Sequence, residues 1–371
     1  MPKSKVYFAD LRSDSDTNLL DKIDLLLERI GVDGLYDRGD IVGLKLHFGE
    51  RGNTAFVRPQ FVRRVVDYVK KTEAHTFLTD TNTLYVGKRT NTVDHLETAI
   101  LNGFEYSAAG APLVIADGLR GENKVDVEVD GELLKEVSIA REIVSADGLG
   151  FITHFKCHEL TGIGGVIKNI GMGCASREGK LVQHAGCPPI VDPEGCTACG
   201  KCVPMCPVDA IEMGAVAFID EDLCTGCSHC IAVCPEGTIK VQWVESAANV
   251  QKKMAEYAMG VIKDKREKCF YISFITQVSP LCDCYGHTDA PIVGDIGIVA
   301  SLDPVALDQA CADLVNGEQG IPGTALKSGH ECGGDKFRGT HPDIDWTEQL
   351  KHAEKIGLGS REYEIEDIGK E

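Results

Sequence analysis

Two stretches of this sequence share one cysteine spacing: Cys196-Thr-Ala-Cys199-Gly-Lys-Cys202-Val-Pro-Met-Cys206-Pro207 and Cys224-Thr-Gly-Cys227-Ser-His-Cys230-Ile-Ala-Val-Cys234-Pro235. Both follow the pattern Cys-x2-Cys-x2-Cys-x3-Cys-Pro. In bacterial iron–sulfur proteins with two cubes, this run ligates [4Fe–4S] clusters, and the fourth cysteine of each copy serves the other cluster. The tandem pattern therefore predicts two [4Fe–4S] clusters.

The exchange of the fourth cysteine defines the two predicted ligand sets. They are Cys196, Cys199, Cys202 and Cys234 for the first cluster, and Cys224, Cys227, Cys230 and Cys206 for the second. Zinc and structural disulfides are the alternatives. Zinc sites prefer two separated Cys-x2-Cys pairs, which four evenly spaced cysteines repeated in tandem do not match. We expect residues 191–243 to form an α+β domain of the two-[4Fe–4S] ferredoxin type.

The sequence before this segment alternates predicted strands and helices. The apolar stretches Ile41–Phe48, His75–Leu78 and Phe151–Phe155 favour buried strands, and amphipathic helical stripes separate them. This order predicts βαβ units and a mainly parallel sheet flanked by helices, a Rossmann-like α/β fold. Alternation of Val125, Val127 and Val129 before Asp130-Gly131 predicts one hairpin with a two-residue turn.

The α/β pattern resumes after the cysteine repeats. Residues 247–262 are predicted to be helical, and residues 269–276 and 296–300 are predicted strands. We therefore expect residues 1–190 and 244–371 to form two parts of one α/β domain, into which residues 191–243 are inserted.

Composition excludes several classes of partner. The 371 residues include 57 acidic and 38 basic side chains, a formal net charge of −19, which opposes binding to nucleic acid or to an anionic membrane. No apolar run approaches the ~18 residues that a membrane span needs. Sixteen cysteines in so long a chain, eight of them in cluster spacing, favour a reducing cytoplasm over a secreted disulfide framework. Because exposed cubes are sensitive to oxygen, we expect an anaerobic organism.

Polar side chains gather where predicted strands end. The candidate catalytic residues are Lys45, His47, Asp80, His154, Lys156 and His158. In open α/β sheets, the carboxyl ends of parallel strands meet in one crevice where ligands bind. Histidines, lysines and an aspartate there could bind an anion or transfer protons. The alternative is a set of hydrogen-bonded strand-end residues without chemistry.

A glycine-rich bend follows the third of these strands. Gly164-Gly165 precedes a predicted short helix, whose amides could bind an anion together with Lys168. A small anionic substrate would fit such a site. Gly162-x-Gly164 lacks the third glycine of a dinucleotide fingerprint, and no Gly-x4-Gly-Lys-Ser/Thr occurs, so NAD, FAD and ATP have no motif here.

Cysteines outside the repeats suggest a third metal or iron–sulfur site. Cys282 and Cys284 lie in one polar loop; one residue apart, they do not readily bridge each other, but both can point at one metal. Cys157, Cys174 or Cys187 could complete the site, since all three lie in loops or at element ends. The alternative is that these are reduced loop thiols or packed side chains.

Several segments together resemble the DUF362 family, in particular its subgroup of uncharacterised Fe–S centre proteins with an inserted ferredoxin domain. They are Lys45-Leu-His-Phe-Gly-Glu50-Arg-Gly-Asn53, Thr79-Asp80-Thr-Asn82-Thr-Leu, His154-Phe-Lys-x-His-Glu-x-x-Gly-x-Gly-Gly-x-x-Lys168-Asn169, Gly171-Met-Gly-Cys-Ala-Ser176 and Asp295-Ile-Gly-Ile-x-Ala-Ser-x-Asp303-Pro. The resemblance implies a cytoplasmic iron–sulfur protein of anaerobes or archaea, with Cys282-Asp-Cys284 in the subgroup's pattern. It implies no reaction.

The functional expectation is an iron–sulfur redox protein, whose two clusters relay electrons to a site in the α/β domain and whose reaction stays open. A redox partner protein is expected. Two alternatives stand beside it: an electron-transfer subunit without catalysis of its own, and a factor that assembles a metal or Fe–S cofactor. An acid–base enzyme with purely structural clusters is a further alternative. Whether the chain is an oxidoreductase in its own right is not decided by these patterns.

Overall fold

The computed structural model describes residues 3–185 and 187–369. Its strands, in chain order, are β1 (Ser4–Asp10), β2 (Ile41–Lys45), β3 (His75–Asp80), β4 (Leu113–Ile115), β5 (Lys124–Glu128), β6 (Glu136–Ala140), β7 (Gly148–His154), β8 (Lys156–His158), β9 (Gly162–Gly164), β10 (Ile190–Val191), β11 (Ile211–Met213), β12 (Ala217–Ile219), β13 (Ile239–Lys240), β14 (Cys269–Ile275), β15 (Gly297–Ser301) and β16 (Tyr363–Asp367).

The α-helices, in chain order, are α1 (Leu19–Arg29), α2 (Pro59–Lys70), α3 (Thr92–Leu101), α4 (Tyr106–Ala109), α5 (Arg141–Ser145), α6 (Val166–Gly171), α7 (Arg177–His184), α8 (His229–Val233), α9 (Ala247–Ile262), α10 (Pro304–Gly317), α11 (Lys336–Thr340) and α12 (Thr347–Lys355). The local sequence explains where several of these helices begin. Asn18 and Asp21 form a capping box at α1, and Pro59 and Pro304 occupy the first turns of α2 and α10.

Eight strands form the central sheet in the order β16-β1-β15-β14-β7-β2-β3-β4. Strand β15 is antiparallel to both β1 and β14, whereas every other neighbouring pair is parallel. The predicted α/β fold with a mainly parallel sheet flanked by helices is therefore confirmed. Because β14, β7, β2 and β3 are neighbours and parallel, their carboxyl ends lie along one edge of the sheet.

Helices cover both faces of this sheet, so its strands are apolar on both sides. Successive residues along a strand point to opposite faces. In β7, Phe151 belongs to one hydrophobic cluster and Ile152 to the other; in β14, Tyr271 and Ile272 divide in the same way. The sheet is thus a buried, rigid base for the loops that follow its strands.

Residues 190–240 pack around a third and smaller hydrophobic cluster. Strands β10 and β13 pair there, as do β11 and β12, and both pairs are antiparallel. The cluster includes cysteines of both repeats and also Leu84, Leu181 and Ala185, which come from the α/β part of the chain. This segment therefore packs against the α/β part through apolar contacts.

The hairpin predicted around Asp130-Gly131 forms, but its predicted two-residue turn is wrong. Pairing of β5 with β6 ends at Glu128 and Glu136, so residues 129–135 connect the strands. The buried carboxylate of Glu256, on α9, accepts hydrogen bonds from three consecutive amides of this connection, those of residues 132–134. It also lies 2.9 Å from His352 Nε2. The conformation of this loop therefore depends on a side chain that is distant in the sequence, which local turn patterns do not reveal.

No helix in residues 3–185 and 187–369 is long and apolar enough to cross a membrane.

We predict that Glu256→Gln lowers the free energy of unfolding by about 2–4 kcal/mol, because a glutamine NH₂ faces backbone N–H groups and leaves them without acceptors. Urea denaturation measures the change. Glu128→Gln is the matched control, since this glutamate of the same hairpin is exposed and should change stability by no more than about 0.5 kcal/mol. Equal effects of the two substitutions would contradict the role given to Glu256.

Candidate functional site

A large cleft opens at the carboxyl ends of β14, β7, β2 and β3. It contains about 2170 Å³ of space between atoms, including space open to solvent. The cleft is lined by all of the residues predicted for the crevice: Lys45, His47, Asp80, His154, Lys156, His158, Gly164, Gly165 and Lys168. Strand order thus brings together side chains that lie far apart in the sequence.

Lys45 and Asp80 form a buried ion pair at the base of the cleft. Lys45 Nζ lies 2.9 Å from Asp80 Oδ1 and donates to Asn169 Oδ1 at 2.9 Å. The other carboxylate oxygen of Asp80 lies 3.2 Å from Arg89 Nη1. Burial works to raise the pKa of Asp80, but Lys45 and His95 hold it well below the usual range. These two predicted catalytic residues neutralise each other and hold the ends of β2 and β3 together.

His154 and Lys156 are tied to a residue that the sequence reasoning missed. His154 Nδ1 lies 2.9 Å from Asp283 Oδ2, and its Nε2 faces the carbonyl oxygen of Thr276 at 2.8 Å. Lys156 Nζ lies 3.0 Å from the same Asp283 oxygen. Burial works to raise the pKa of Asp283, but His154 and Lys156 outweigh it and hold the carboxyl ionised. Neither ring nitrogen of His154 is left to face a ligand.

His47 directs a ring nitrogen at a cysteine. The amide of Gly49 donates to His47 Nδ1 at 3.0 Å, and His47 Nε2 lies 3.5 Å from Cys284 Sγ. Burial, with the nearby charge of Arg89, lowers the pKa of His47, which favours the neutral ring. Since Nδ1 accepts a hydrogen bond, the proton of the neutral ring sits on Nε2 and points at the sulfur.

Cys282 and Cys284 lie side by side at the cleft wall. Their sulfurs are 2.8 Å apart, both thiols are free, and Lys168 Nζ is 3.4 Å from Cys282 Sγ. The hydrogen bond from Cys282 lowers the pKa of Cys284 well below its usual value, against the effect of burial and with help from Lys168 and His47. The same hydrogen bond and burial raise the pKa of Cys282. These shifts favour a thiolate at Cys284 and a protonated thiol at Cys282.

Two further histidines in the cleft are kept neutral by burial. His158 Nδ1 accepts from the amides of Leu160 and Thr161, and burial and Lys168 lower its pKa. Burial, again with Lys168, lowers the pKa of His184 to about 3. His184 packs edge-on against Trp243, with ring centroids 4.8 Å apart. Neither His184 nor Trp243 stood in a motif, so only their closeness to the cysteine repeats could have indicated them.

The predicted anion site at Gly164-Gly165 has a different arrangement. The amides of Val166 and Ile167, at the start of α6, donate to the carboxylate of Asp308 at 2.7 and 2.9 Å. Burial raises the pKa of Asp308 to about 7, against the effect of those two amides. An internal carboxylate, rather than an external anion, thus caps this helix. Of the predicted anion-binding residues, Lys168 retains a charge that faces the cleft.

The cysteines proposed to complete a third metal site lie elsewhere. Cys157 and Cys174 are fully buried in the largest hydrophobic cluster, and Cys187 packs beside the cluster of residues 190–240. Within the described part of the chain, no group of three or more His, Cys, Asp or Glu side chains is placed to hold a metal ion. Cys282 and Cys284 come together without these three partners.

The eight cysteines of the repeats surround two separate cavities. Cys196, Cys199, Cys202 and Cys234 line one cavity of about 330 Å³. Cys206, Cys224, Cys227 and Cys230 line another of about 320 Å³. Each cavity is therefore lined by three cysteines of one repeat and the fourth cysteine of the other.

The loops between these cysteines suit sulfur ligands. Ala198, Gly200, Gly226 and Ser228 have positive φ, which turns the chain sharply between successive cysteines. The amide of Ala210 donates to Cys206 Sγ at 3.2 Å, and the amide of Thr238 donates to Cys234 Sγ at 3.4 Å. Hydrogen bonds of this kind stabilise thiolates. Among the described residues, no three of these cysteines are placed to hold a single metal ion, but four thiols around each of two cavities match four-iron clusters in donor type and number.

The cleft lies beside the segment that carries the cysteine repeats. Leu84 lines the cleft and also belongs to the hydrophobic cluster that contains Cys202 and Cys230. Val86, another lining residue, lies against Gly237, whose amide donates to the carbonyl oxygen of Cys234. Two residues of the cleft lining therefore pack with the cysteine-containing segment.

We predict that Lys168→Met raises the pKa of Cys284, because a cation that stabilises the thiolate is lost, and leaves about tenfold less thiolate at a pH below the new value. The pH dependence of Cys284 alkylation by iodoacetamide, followed by peptide mass spectrometry, measures this. Lys88→Met is the control, since Lys88 is an exposed lysine of the same cleft. An unchanged profile in Lys168→Met would contradict the proposed thiolate environment.

Comparison with known proteins gives structural matches of low similarity. No curated protein matches this chain. Two solved structures are similar over part of their length: the lactate racemase apoprotein from Thermoanaerobacterium thermosaccharolyticum, at 15% identity and a TM-score of 0.36, and a protein from Thermotoga maritima, at 14% and 0.36. The matches cover 73% and 71% of this chain but 50% and 52% of the other two. This chain spans about half of their length, and nothing about its function follows from likeness at this level.

A family model also matches this chain. Residues 42–313, which include all of the residues that line the cleft and both cysteine repeats, match a family described as a domain of unknown function, DUF362. The family indicated by the sequence motifs is therefore confirmed. The chain belongs to the DUF362 family.

Proposed function

We propose that this protein is an iron–sulfur redox protein that relays electrons through two [4Fe–4S] clusters to the cleft of its α/β domain. In this proposal residues 191–243 are a ferredoxin-type domain inserted between residues 1–190 and 244–371, as in the Fe–S subgroup of the family. The observation that carries it is the division of eight cysteines between two cavities, in a segment that packs with Leu84 of the cleft.

The cysteine segment supplies what such clusters need. When bound, four-iron clusters accept and donate single electrons at potentials that depend on hydrogen bonds to sulfur and on solvent exposure. The amides of Ala210 and Thr238 provide hydrogen bonds to cysteine sulfurs. Apolar side chains such as Ile211, Ile219 and Ile239 pack around the cysteines and limit the access of water.

The wall between the two regions supports transfer toward the cleft. Leu84 touches both regions, and the His184–Trp243 pair lies where the cleft meets the chain that follows the repeats. If the cysteine cavities and the cleft were far apart, an electron could not hop from one to the other. Direct packing favours a relay over two independent functions on one chain.

The charged side chains of the cleft bind and orient a substrate. The Lys45–Asp80 pair and the Asp283 cluster with His154 and Lys156 fix the shape of the floor. Lys168 offers a positive charge to an anionic substrate. His47 holds a proton at Nε2, next to Cys284 Sγ, where it can be given to a reduced product.

Two general properties support the cellular setting of this proposal. All sixteen cysteines are free thiols, which agrees with a reducing cytoplasm. The net charge of −19 favours a redox partner protein with a basic docking surface.

We predict that protein purified without oxygen contains eight irons and eight sulfides per chain. Cys234→Ala should lose the cluster that Cys196, Cys199 and Cys202 would hold and keep about four irons, because Cys234 lines their cavity. Iron and sulfide analysis with native mass spectrometry gives the counts. Cys187→Ser is the matched control, because Cys187 adjoins the same hydrophobic cluster but lines neither cavity.

The same experiment separates the proposal from its alternatives. Zinc instead of iron, or full iron retention in Cys234→Ala, would overturn the cluster assignment. Metal that is bound at Cys282 and Cys284 and passes to an acceptor protein, while the eight irons stay in place, would identify a cofactor-assembly factor instead. Reduction of a partner that is insensitive to Cys284→Ser would identify a simple electron carrier.

A further inference from the structure

Cys282 and Cys284 differ in their access to the cleft. Cys284 lines the cleft, whereas Cys282 is 1% exposed and lies behind it. Their sulfurs are 2.8 Å apart, compared with about 2.05 Å in a disulfide bond. The amide of Cys284 also donates to Cys282 Sγ at 3.4 Å, which holds the short loop in a tight turn. The two sulfurs are therefore in contact but not bonded.

Charges around the pair divide the roles of the two sulfurs. Lys168 Nζ lies 3.4 Å from Cys282 Sγ, and His47 Nε2 lies 3.5 Å from Cys284 Sγ. The hydrogen bond with Cys282, together with the charge of Lys168 and the ring of His47, lowers the pKa of Cys284. A thiolate is the nucleophile in thiol–disulfide exchange. The hydrogen bond with Cys284 and burial raise the pKa of Cys282, which favours its protonated form. An accessible thiolate in front of a buried thiol is the arrangement of an attacking and a resolving cysteine.

The remaining charge of the cleft favours an anionic ligand. Lys168 and Lys180 both line it, and within the described chain neither forms an ion pair with a carboxylate. Asp80 is already neutralised by Lys45 and Arg89. A negatively charged substrate would thus find Lys168 beside the cysteine pair and Lys180 elsewhere in the cleft, in a protein that is acidic overall.

We propose that Cys284 and Cys282 form a thiol/disulfide couple in the cleft that reduces the disulfide bond of a small anionic substrate. The thiolate of Cys284 attacks one substrate sulfur, forms a mixed disulfide and releases the first substrate half as a thiolate. That thiolate takes the proton of Cys282. The new Cys282 thiolate attacks Cys284 Sγ, releases the second half and leaves a Cys282–Cys284 disulfide.

Two electrons and one proton restore the starting pair, which is one thiol and one thiolate. Two one-electron donors supply these electrons. Only this supply rests on the function proposed above. The exchange steps themselves use only residues of the cleft, so a dithiol reagent can replace the natural donor in a test.

The first test is a redox titration of the whole protein without oxygen. The protein is equilibrated in buffers of reduced and oxidised dithiothreitol, alkylated, digested and weighed. We expect the peptide that contains Cys282 and Cys284 to pass in one two-electron step from two alkylated thiols to an internal disulfide. Two thiols over the whole range, or separate mixed adducts on each cysteine, would overturn the inference.

Iron analysis of the same samples separates this inference from the proposed function. Eight irons with no disulfide transition would remove the thiol/disulfide couple and keep the clusters. A disulfide transition in protein without iron would keep the couple and remove the clusters. Cys332→Ser is the control for the titration, because Cys332 is an exposed loop cysteine and its loss should leave the transition unchanged.

The second test addresses the charge of the substrate. Stopped-flow mixing compares an anionic disulfide, dithiobis(nitrobenzoate), with a neutral one, dithiodipyridine, and the fast phase that Cys284→Ser abolishes is the readout. Lys168→Met should slow the anionic reagent about tenfold more than the neutral one, because only the former gains a charge-assisted contact. Lys88→Met should leave the ratio unchanged. A ratio that is equal in wild type and Lys168→Met would show that the cleft does not select for charge.

Discussion

The buried carboxylate of Asp283 holds the functional region together. It is fully buried, contacts both His154 and Lys156, and stands between Cys282 and Cys284 in the sequence. Through it, the loop after β14 is fastened to the end of β7. Loss of one partner in a buried ion pair of this kind costs about 3–5 kcal/mol, because the others stay charged and unpaired. The positions of both cysteine sulfurs therefore depend on one charge.

Strand order explains why this loop meets the rest of the site. Parallel neighbours β14, β7, β2 and β3 end at one edge, so the Cys282–Cys284 loop, His154, Lys45 and Asp80 face a common space. The segment with the cysteine repeats follows α7 and packs back against Leu84, in the loop after β3. The cleft consequently has a charged floor built by the sheet, and its apolar residue Leu84 packs with the cysteine-containing segment.

Structural features that follow from repeated or alternating sequence patterns could be predicted from the sequence. Apolar strands between amphipathic helices predicted the mainly parallel sheet, and strand-end polarity located the cleft-lining residues. Partners from distant elements could not be predicted. Glu256 organises a hairpin loop that local patterns assigned to a two-residue turn, and Asp308 takes the amides assigned to an anion. The sequence motifs made His154 a candidate catalytic residue, but its Nδ1 contacts the carboxylate of Asp283, 129 positions away in the sequence. Such pairings depend on tertiary packing, which no local pattern encodes.

We propose that electrons pass from two [4Fe–4S] clusters, held by the repeat cysteines, to the Cys282–Cys284 pair. The most direct measurement starts from anaerobic protein that carries the Cys282–Cys284 disulfide, reduces the clusters with a light pulse, and follows their visible absorbance together with alkylation of the two thiols. We expect the clusters to be reoxidised as the disulfide opens, with two electrons for each disulfide, and we expect no such reoxidation in Cys282→Ser. Clusters that stay reduced beside an intact disulfide would contradict this transfer.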